Sequence, residues 1–188
     1  VAIFTNRFSS LRMEETHVPE LEIPTQSATG ICDVISYSSN HKDQFSKLPQ
    51  ERIELILKAV AHRSKELLNN SLIEYVLPFE NKGKEIGVTL EHPHGQIYSF
   101  GHIPETIKRQ SENQIQNPLL ETIAQIPKEL ILLENKSGVC FVPRWARYPF
   151  EIWIAPHRRV PQVYDLDDEE IKNLSHLLLE SSKMLDKV

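Results

Sequence analysis

One long helix-periodic stretch stands among short β-rich runs, and that order constrains the fold of this chain more than any other feature. Over residues 49–70 the apolar positions Ile53, Ile56, Leu57, Val60 and Leu67 recur at helical spacing, with Pro49 at the entry and Asn69-Asn70 at the exit. Two β-like runs precede it: residues 1–5, stopped by Asn6-Arg7, and residues 31–37, bounded by Gly30 and by Ser38-Ser39-Asn40. Residues 9–29 carry Pro19, Pro24 and no sustained period, which predicts a long loop. After the helix, residues 73–79 predict a strand bent or placed at an edge by Pro78. A turn at Asn81-Lys82-Gly83-Lys84 leads to a second strand beginning at residues 87–90 and extended again over 96–100, the pair forming an antiparallel hairpin.

The same order then returns. Residues 104–127, polar and broken by Pro104, Pro118 and Pro127, predict one or two short helices. Runs at 130–134 and 139–142 flank the turn residues Asn135-Lys136-Ser137-Gly138, and Phe150, Ile152 and Ile154 alternate with Glu151 and Trp153 in a third strand. Asp165 is the expected cap of a last helix, with Asp167, Asp168, Glu169 and Glu170 in its first turn and Ile171, Leu174, Leu178 and Leu185 on its buried face. Strands followed by a helix, twice, predict an α+β fold of antiparallel sheets with flanking helices, internally duplicated. The boundaries are a first half at 1–103, a linker at 104–128 and a partial second half at 129–188. The chain opens without Met in a β-like run and stops inside a helical pattern, so material is expected beyond both ends.

Composition narrows the function classes. A net charge of −5 with no basic stripe speaks against nucleic acid as partner, and no apolar run approaches a membrane span. The first residues lack the basic head and cleavage pattern of a signal peptide. Cys32 and Cys140 form no close pair and are expected to be reduced thiols of a cytoplasmic protein.

The chemistry concentrates in Glu91-His92-Pro93-His94-Gly95-Gln96-Ile97. Imidazole is the side chain that can act as a neutral nucleophile near pH 7 without a pKa shift. Pro93 stiffens the segment, Gly95 permits either close approach of an anion or a positive φ, and Gln96 offers donor and acceptor. His92 and His94 share one face if the segment is extended. Taken alone, the motif reads equally as a surface turn or as two packed core histidines, and Asn6 and Asn81 read as turn residues. Trp145, Tyr148 and Phe150 read as core or sheet-face aromatics. Nothing ties His17, His62, His102, His157 or His176 to chemistry.

Four segments together change that reading: Phe4-Thr5-Asn6-Arg7-Phe8; Phe79-Glu80-Asn81-Lys82-Gly83; the run from Gly87 to Tyr98 containing the histidine motif; and Val142-Pro143-Arg144-Trp145-Ala146-Arg147-Tyr148-Pro149-Phe150-Glu151. In this order and spacing the chain resembles the galactose-1-phosphate uridylyltransferases, a branch of the histidine-triad nucleotide transferase superfamily. The resemblance implies a histidine-triad-like sheet in each half, the second copy incomplete here. It implies transfer of UMP from UDP-glucose to galactose 1-phosphate by two in-line displacements with ping-pong kinetics. His94 would be the nucleophile, its Nδ1 proton held by a backbone carbonyl of the same motif, here that of His92, and Gln96 would hydrogen-bond the phosphoryl oxygens. Asn81, Gly87, Thr89 and Gly95 match positions around the nucleotide phosphates, and Asn6 a nucleotide-contacting position. Arg7 departs from the acidic or amide residue usual there. Related activities implied by the same resemblance are a nucleotide-sugar phosphorylase or another hexose-1-phosphate nucleotidyltransferase. A chain of this size is also compatible with a non-catalytic nucleotide-binding module.

The family resemblance further implies homodimers, no organic cofactor, and in many members a zinc ion. His41 and His92 match two of its four ligands; the cysteine pair that supplies the others would lie upstream of Val1. Two imidazoles alone do not complete a tetrahedral structural site. Gln110 stands in the region where some relatives place a glutamate of a second metal site.

Overall fold

Four short strands assemble where the sequence places β-branched and aromatic residues between turn signals. They are β1 (Ala2–Thr5), β2 (Gly30–Ser36), β3 (Tyr75–Phe79) and β4 (His94–Phe100), in the sheet order β1-β2-β4-β3, antiparallel throughout. The computed structural model of the chain describes residues 1–14, 17–86, 88, 90, 92–116 and 119–188, excepting the side chains of residues 85 and 114–116. The helix predicted from periodicity is α1 (Gln50–Leu68), its first amides reaching back to the Pro49 carbonyl. Ile53, Ile56, Val60, Ala61, Ser64 and Leu67 are its buried residues, at the expected helical spacing, while Leu57 is half-buried.

The described residues divide into two compact units. One comprises Val1–Asp43 and Ala59–Ile107, the other Gln44–Lys58 and Lys108–Val188. In the first unit β4 is the hub, pairing with β2 from Gly30↔Phe100 to Ser36↔His94 and with β3 from Tyr75↔Phe100 to Phe79↔Gln96. Directly paired residues share a face, so the sheet has two distinct sides. One carries Ile35, Asp33, Gly95, Ile97 and Ser99, all buried. Behind that side Arg63 of α1 reaches the carboxylate of Asp33 at 2.8 Å. The other side carries Ser36, Val34, His94, Gln96, Tyr98 and Phe100, most of them half-buried, with Phe79, Leu77 and Tyr75 from β3. Aromatic rings line its floor, Phe79 and Tyr98 meeting edge to face at 5.0 Å.

The second unit contains α2 (Glu105–Gln116) from Lys108 onward, α3 (Leu119–Ala124), a sheet of β5 (Ile131–Glu134), β6 (Gly138–Phe141) and β7 (Trp153–Pro156) in the order β5-β6-β7, and α4 (Asp168–Leu185). Val139, Phe141 and Ala155 form its sheet core, with Ile123, Ile126, Ile131 and Trp153 packed on it. The expected hairpin turn at Asn135-Gly138 is present, the Asn135 side chain accepting from the amides of Ser137 and Gly138.

Three expectations need correction. Of the second hairpin strand expected from residues 87–90, Gly87 and Thr89 lie outside the described residues; among those described, Lys84–Ile86 form a 3₁₀ turn, Val88 and Leu90 carry no strand pairing, and β4 starts at His94. His92 therefore precedes the strand instead of sitting on it. The last helix is capped by Asp167, not Asp165. Asp167 accepts from the Glu170 amide at 2.8 Å while the Glu170 carboxylate accepts from the Asp167 amide at 2.9 Å, a reciprocal capping box. Its buried residues are Ile171, Ser175, Leu177, Leu179 and Ser181, whereas Leu185 is 42% exposed at the fraying end. Finally, β7 starts at Trp153, later than the alternation from Phe150 predicts. The Glu151 carboxylate is engaged in a turn, accepting from the amides of Arg147 and Tyr148 at 2.8 and 3.2 Å, and Phe150 adopts φ 61°.

Candidate active site

The motif lies at the open end of β4, and its backbone is tied to β2 before the ladder begins. The Tyr37 amide donates to the Pro93 carbonyl at 3.1 Å, continuing the pairing that ends at Ser36↔His94. Pro93, which has no amide to give, is buried at this junction.

His94 Nδ1 stands 2.7 Å from the carbonyl oxygen of His92. A carbonyl only accepts, so Nδ1 carries the proton and the neutral ring presents a bare Nε2. This is the orienting bond that the family resemblance implies. Gln96 follows on the same face of β4, and its side-chain amide makes no hydrogen bond with another described residue. Asn81 lies two residues beyond Phe79, the partner of Gln96, so it sits off the end of β3 beside the His94 end of β4. It is exposed. Three of the predicted residues thus gather at one end of the sheet.

Asn6 belongs further along. Its amide donates to the Cys32 carbonyl at 2.7 Å, and Cys32 pairs with Tyr98. Tyr98 is four residues from His94 on β4, about 13 Å at strand rise. The Asn6 side chain accepts from the Phe8 amide at 2.9 Å, shaping the turn out of β1. Beside that turn Phe4 is 53% and Phe8 84% exposed, and a cavity of about 520 Å³ opens next to Arg7, Phe8 and Leu11.

Gly95 has a different reason from the one the motif suggests. It is not in the positive-φ region, and it lies on the opposite, buried face from His94 and Gln96. A Cβ there would meet the Tyr37 hydroxyl at 2.1 Å and the Phe79 carbonyl oxygen at 3.0 Å. The glycine is needed because Tyr37 fills the space beneath it. Burial raises the pKa of the Tyr37 phenol far above its ordinary value, and the charge and hydrogen bond of Glu80 raise it further. The phenol therefore stays protonated and donates to Glu80, the neighbour of Asn81. Sequence reasoning did not find Tyr37 or Glu80, because the contact joins β2 to the end of β3 and neither residue stands out locally. Gly87 and Thr89 lie outside the described residues.

The two proposed metal ligands do come together. His41 and His92 place their Nδ1 atoms 2.9 Å apart, with ring centroids at 4.7 Å. Among the described residues, however, no group of three or more histidine, cysteine or acidic side chains converges. The described donors fall short of the four a structural zinc requires. Gln110, on α2, lies beside a cavity bordered by Trp145, Tyr148 and Trp153 of the second unit. Cys32 and Cys140 are both buried free thiols, and burial pushes the Cys140 thiol pKa up. Among the described residues no helix is long and apolar enough to cross a membrane.

The chain is similar to known proteins over nearly all of its length. Residues 1–104 match the family described as galactose-1-phosphate uridyl transferase, N-terminal domain. The chain is 30% identical to a galactose-1-phosphate uridylyltransferase of Thermotoga maritima over 98% of its own length and 61% of the relative's. It is 32% identical to one of Streptomyces lividans, over all of this chain and 52% of that one. A solved uridylyltransferase superposes with a TM-score of 0.88 at 28% identity, covering 95% of this chain and 60% of that chain. An ADP-glucose phosphorylase from Arabidopsis thaliana with bound ADP-glucose gives a TM-score of 0.83 at 25% identity, over 98% of this chain and 61% of that chain. The chain thus spans a little over half the length of the relatives it matches.

Proposed function

The chain belongs to the galactose-1-phosphate uridyl transferase family, whose N-terminal domain occupies residues 1–104, and from that premise we propose that it forms the nucleotide-accepting part of an enzyme moving UMP between UDP-glucose and galactose 1-phosphate. The observation that carries the mechanism is the 2.7 Å bond from His94 Nδ1 to the His92 carbonyl, which leaves Nε2 as the free nucleophilic atom. Nε2 attacks the α-phosphorus of UDP-glucose. A nitrogen–phosphorus bond forms, the bond to the bridging oxygen breaks, and glucose 1-phosphate departs with the electron pair. The Nδ1–H···O bond stabilises the positive charge the ring then carries. In the second displacement a phosphate oxygen of galactose 1-phosphate attacks the same phosphorus, and the histidine leaves as neutral imidazole. Gln96, on the same face and without a protein partner among the described residues, donates to the phosphoryl oxygens as charge shifts during transfer. Asn81 flanks the phosphates, and the aromatic floor running from Phe79 to Tyr98 leads from them toward Asn6, a distance suited to a nucleotide.

Incubating the protein with UDP-glucose and no acceptor, followed by intact-mass analysis, tests this. A uridylyl adduct labile to acid and missing in His94→Ala is expected. No adduct on the wild-type protein, with full turnover by His94→Ala, overturns it. Likeness to an ADP-glucose phosphorylase favours a second reading, in which inorganic phosphate replaces the sugar phosphate as acceptor. Supplying galactose 1-phosphate and inorganic phosphate in separate reactions and identifying the nucleotide product distinguishes the two.

A further inference from the structure

The hydrogen bonds around His92 single out a residue that no motif contains. Ser36, the last residue of β2, is paired in register with His94 and points to the same face. Its hydroxyl lies 3.0 Å from the carbonyl oxygen of Ser38 and 2.9 Å from Nε2 of His92. The carbonyl can only accept, so the single hydroxyl proton of Ser36 is committed to it. Toward His92 the oxygen must then accept, which puts the His92 proton on Nε2 and leaves its Nδ1 bare, facing His41 Nδ1 at 2.9 Å. A ring that ligates a cation through Nδ1 would need the same tautomer.

The ring so held belongs to the residue whose carbonyl orients the nucleophile. The chain of donors runs from His94 Nδ1–H to the His92 carbonyl, from His92 Nε2–H to Ser36 Oγ, and from Ser36 Oγ–H to the Ser38 carbonyl. We infer that Ser36 is a positioning residue of the transfer reaction: it selects the Nε2–H tautomer of His92 and fixes that residue so that its carbonyl meets His94 Nδ1–H. The inference rests on His94 being the nucleophile. It does not require Ser36 to touch substrate, and it explains why a hydroxyl, with one proton and two lone pairs, occupies this strand position where an apolar residue would suit the fold as well.

The test uses Ser36→Ala and Ser36→Thr in the ligand-free protein and in the adduct assay. Two-bond nitrogen–proton NMR of the imidazoles reads the tautomers directly. In wild type and Ser36→Thr, His92 is expected to show the Nε2–H pattern and His94 the Nδ1–H pattern. In Ser36→Ala, His92 is expected to become tautomer-averaged. The same variant should form the uridylyl adduct about 10-fold more slowly, as expected for loss of one orienting hydrogen bond. Its KM for UDP-glucose should stay within about 2-fold of wild type, and Ser36→Thr should recover most of the rate. An unchanged His92 tautomer in Ser36→Ala overturns the inference, and so does a changed tautomer with an unchanged rate. Absence of adduct on the wild-type protein refutes the nucleophile reading instead, while the NMR comparison still decides whether Ser36 sets the tautomer.

Discussion

Adding one methyl group at Gly95 probes the link between the buried face of β4 and its reactive face. The Cβ of Gly95→Ala would sit 2.1 Å from the Tyr37 hydroxyl, 3.0 Å from Tyr37 Cζ and 3.0 Å from the Phe79 carbonyl oxygen. Tyr37 is 5% exposed and hydrogen-bonded to Glu80, so it cannot swing aside without breaking that bond. Overpacking of a filled interior costs about 1–3 kcal/mol, and a clash this close belongs at about 3. For a chain of this size that lowers Tm by about 6–12 °C. Tyr37→Phe alone removes the bond to Glu80, about 1 kcal/mol, but it also removes the atom at 2.1 Å and leaves contacts no shorter than 3.0 Å. The alanine should therefore cost only about 1 kcal/mol in the Tyr37→Phe background, a coupling of about 2 kcal/mol between the two sites. Urea denaturation followed by far-UV circular dichroism measures all four proteins; tryptophan emission would not serve, since Trp145 and Trp153 both lie in the second unit. Additive losses, or a Gly95→Ala protein as stable as wild type, would refute the account of why glycine stands there.

Other outcomes follow from the same contacts. Arg63→Met should destabilise the first unit by about 3 kcal/mol, because it strands the Asp33 carboxylate, which is 1% exposed and whose Oδ1 already lacks a partner among the described residues; hydrogen exchange of the β2 amides reads the loss, and protection equal to wild type would refute it. Asp167→Ala should cost about 1 kcal/mol by removing the capping box of α4, measurable as a fall in urea midpoint. The Glu170 carboxyl is held below its ordinary pKa by the Arg158 guanidinium and then by the Asp167 amide. Its folded pKa is depressed, so the stability it contributes is fully present above the ordinary carboxylate pKa, about 4.3, and is lost as pH falls through the folded value. A pH series of Tm should show that acid loss weakened in Arg158→Gln; an identical acid limb in both proteins would contradict it. Glu151→Ala should release the turn at residues 147–151 and the indole of Trp153, which donates to Glu151 at 2.8 Å, giving red-shifted and more quenchable emission.

Much of this was legible along the chain. The α+β class, α1, the 139–142 run and the Asn135-Gly138 turn follow from periodicity and turn chemistry, because each is decided within a window of a few residues. The orienting bond of His94 was legible through the family resemblance, which implies a backbone carbonyl of the same motif as its partner. What failed was decided by longer reach. β4 is paired only from His94, after a 3₁₀ turn at Lys84–Ile86, and β7 begins late because Glu151 closes a turn upon two amides. Asp167 displaces Asp165 as cap because only it stands three residues before a glutamate that can answer its amide.

The sequence by itself determined which groups stand together in the motif: the two imidazoles, the proline between them and the amide that follows. The tertiary structure alone decided how they are held. Antiparallel pairing of β2 with β4 sets Ser36 opposite His94, brings Tyr37 beneath Gly95, and turns the bare Nε2 and Gln96 to one face. Residues 50 or more positions apart meet only through that register, and a one-residue slip would send each side chain to the opposite face.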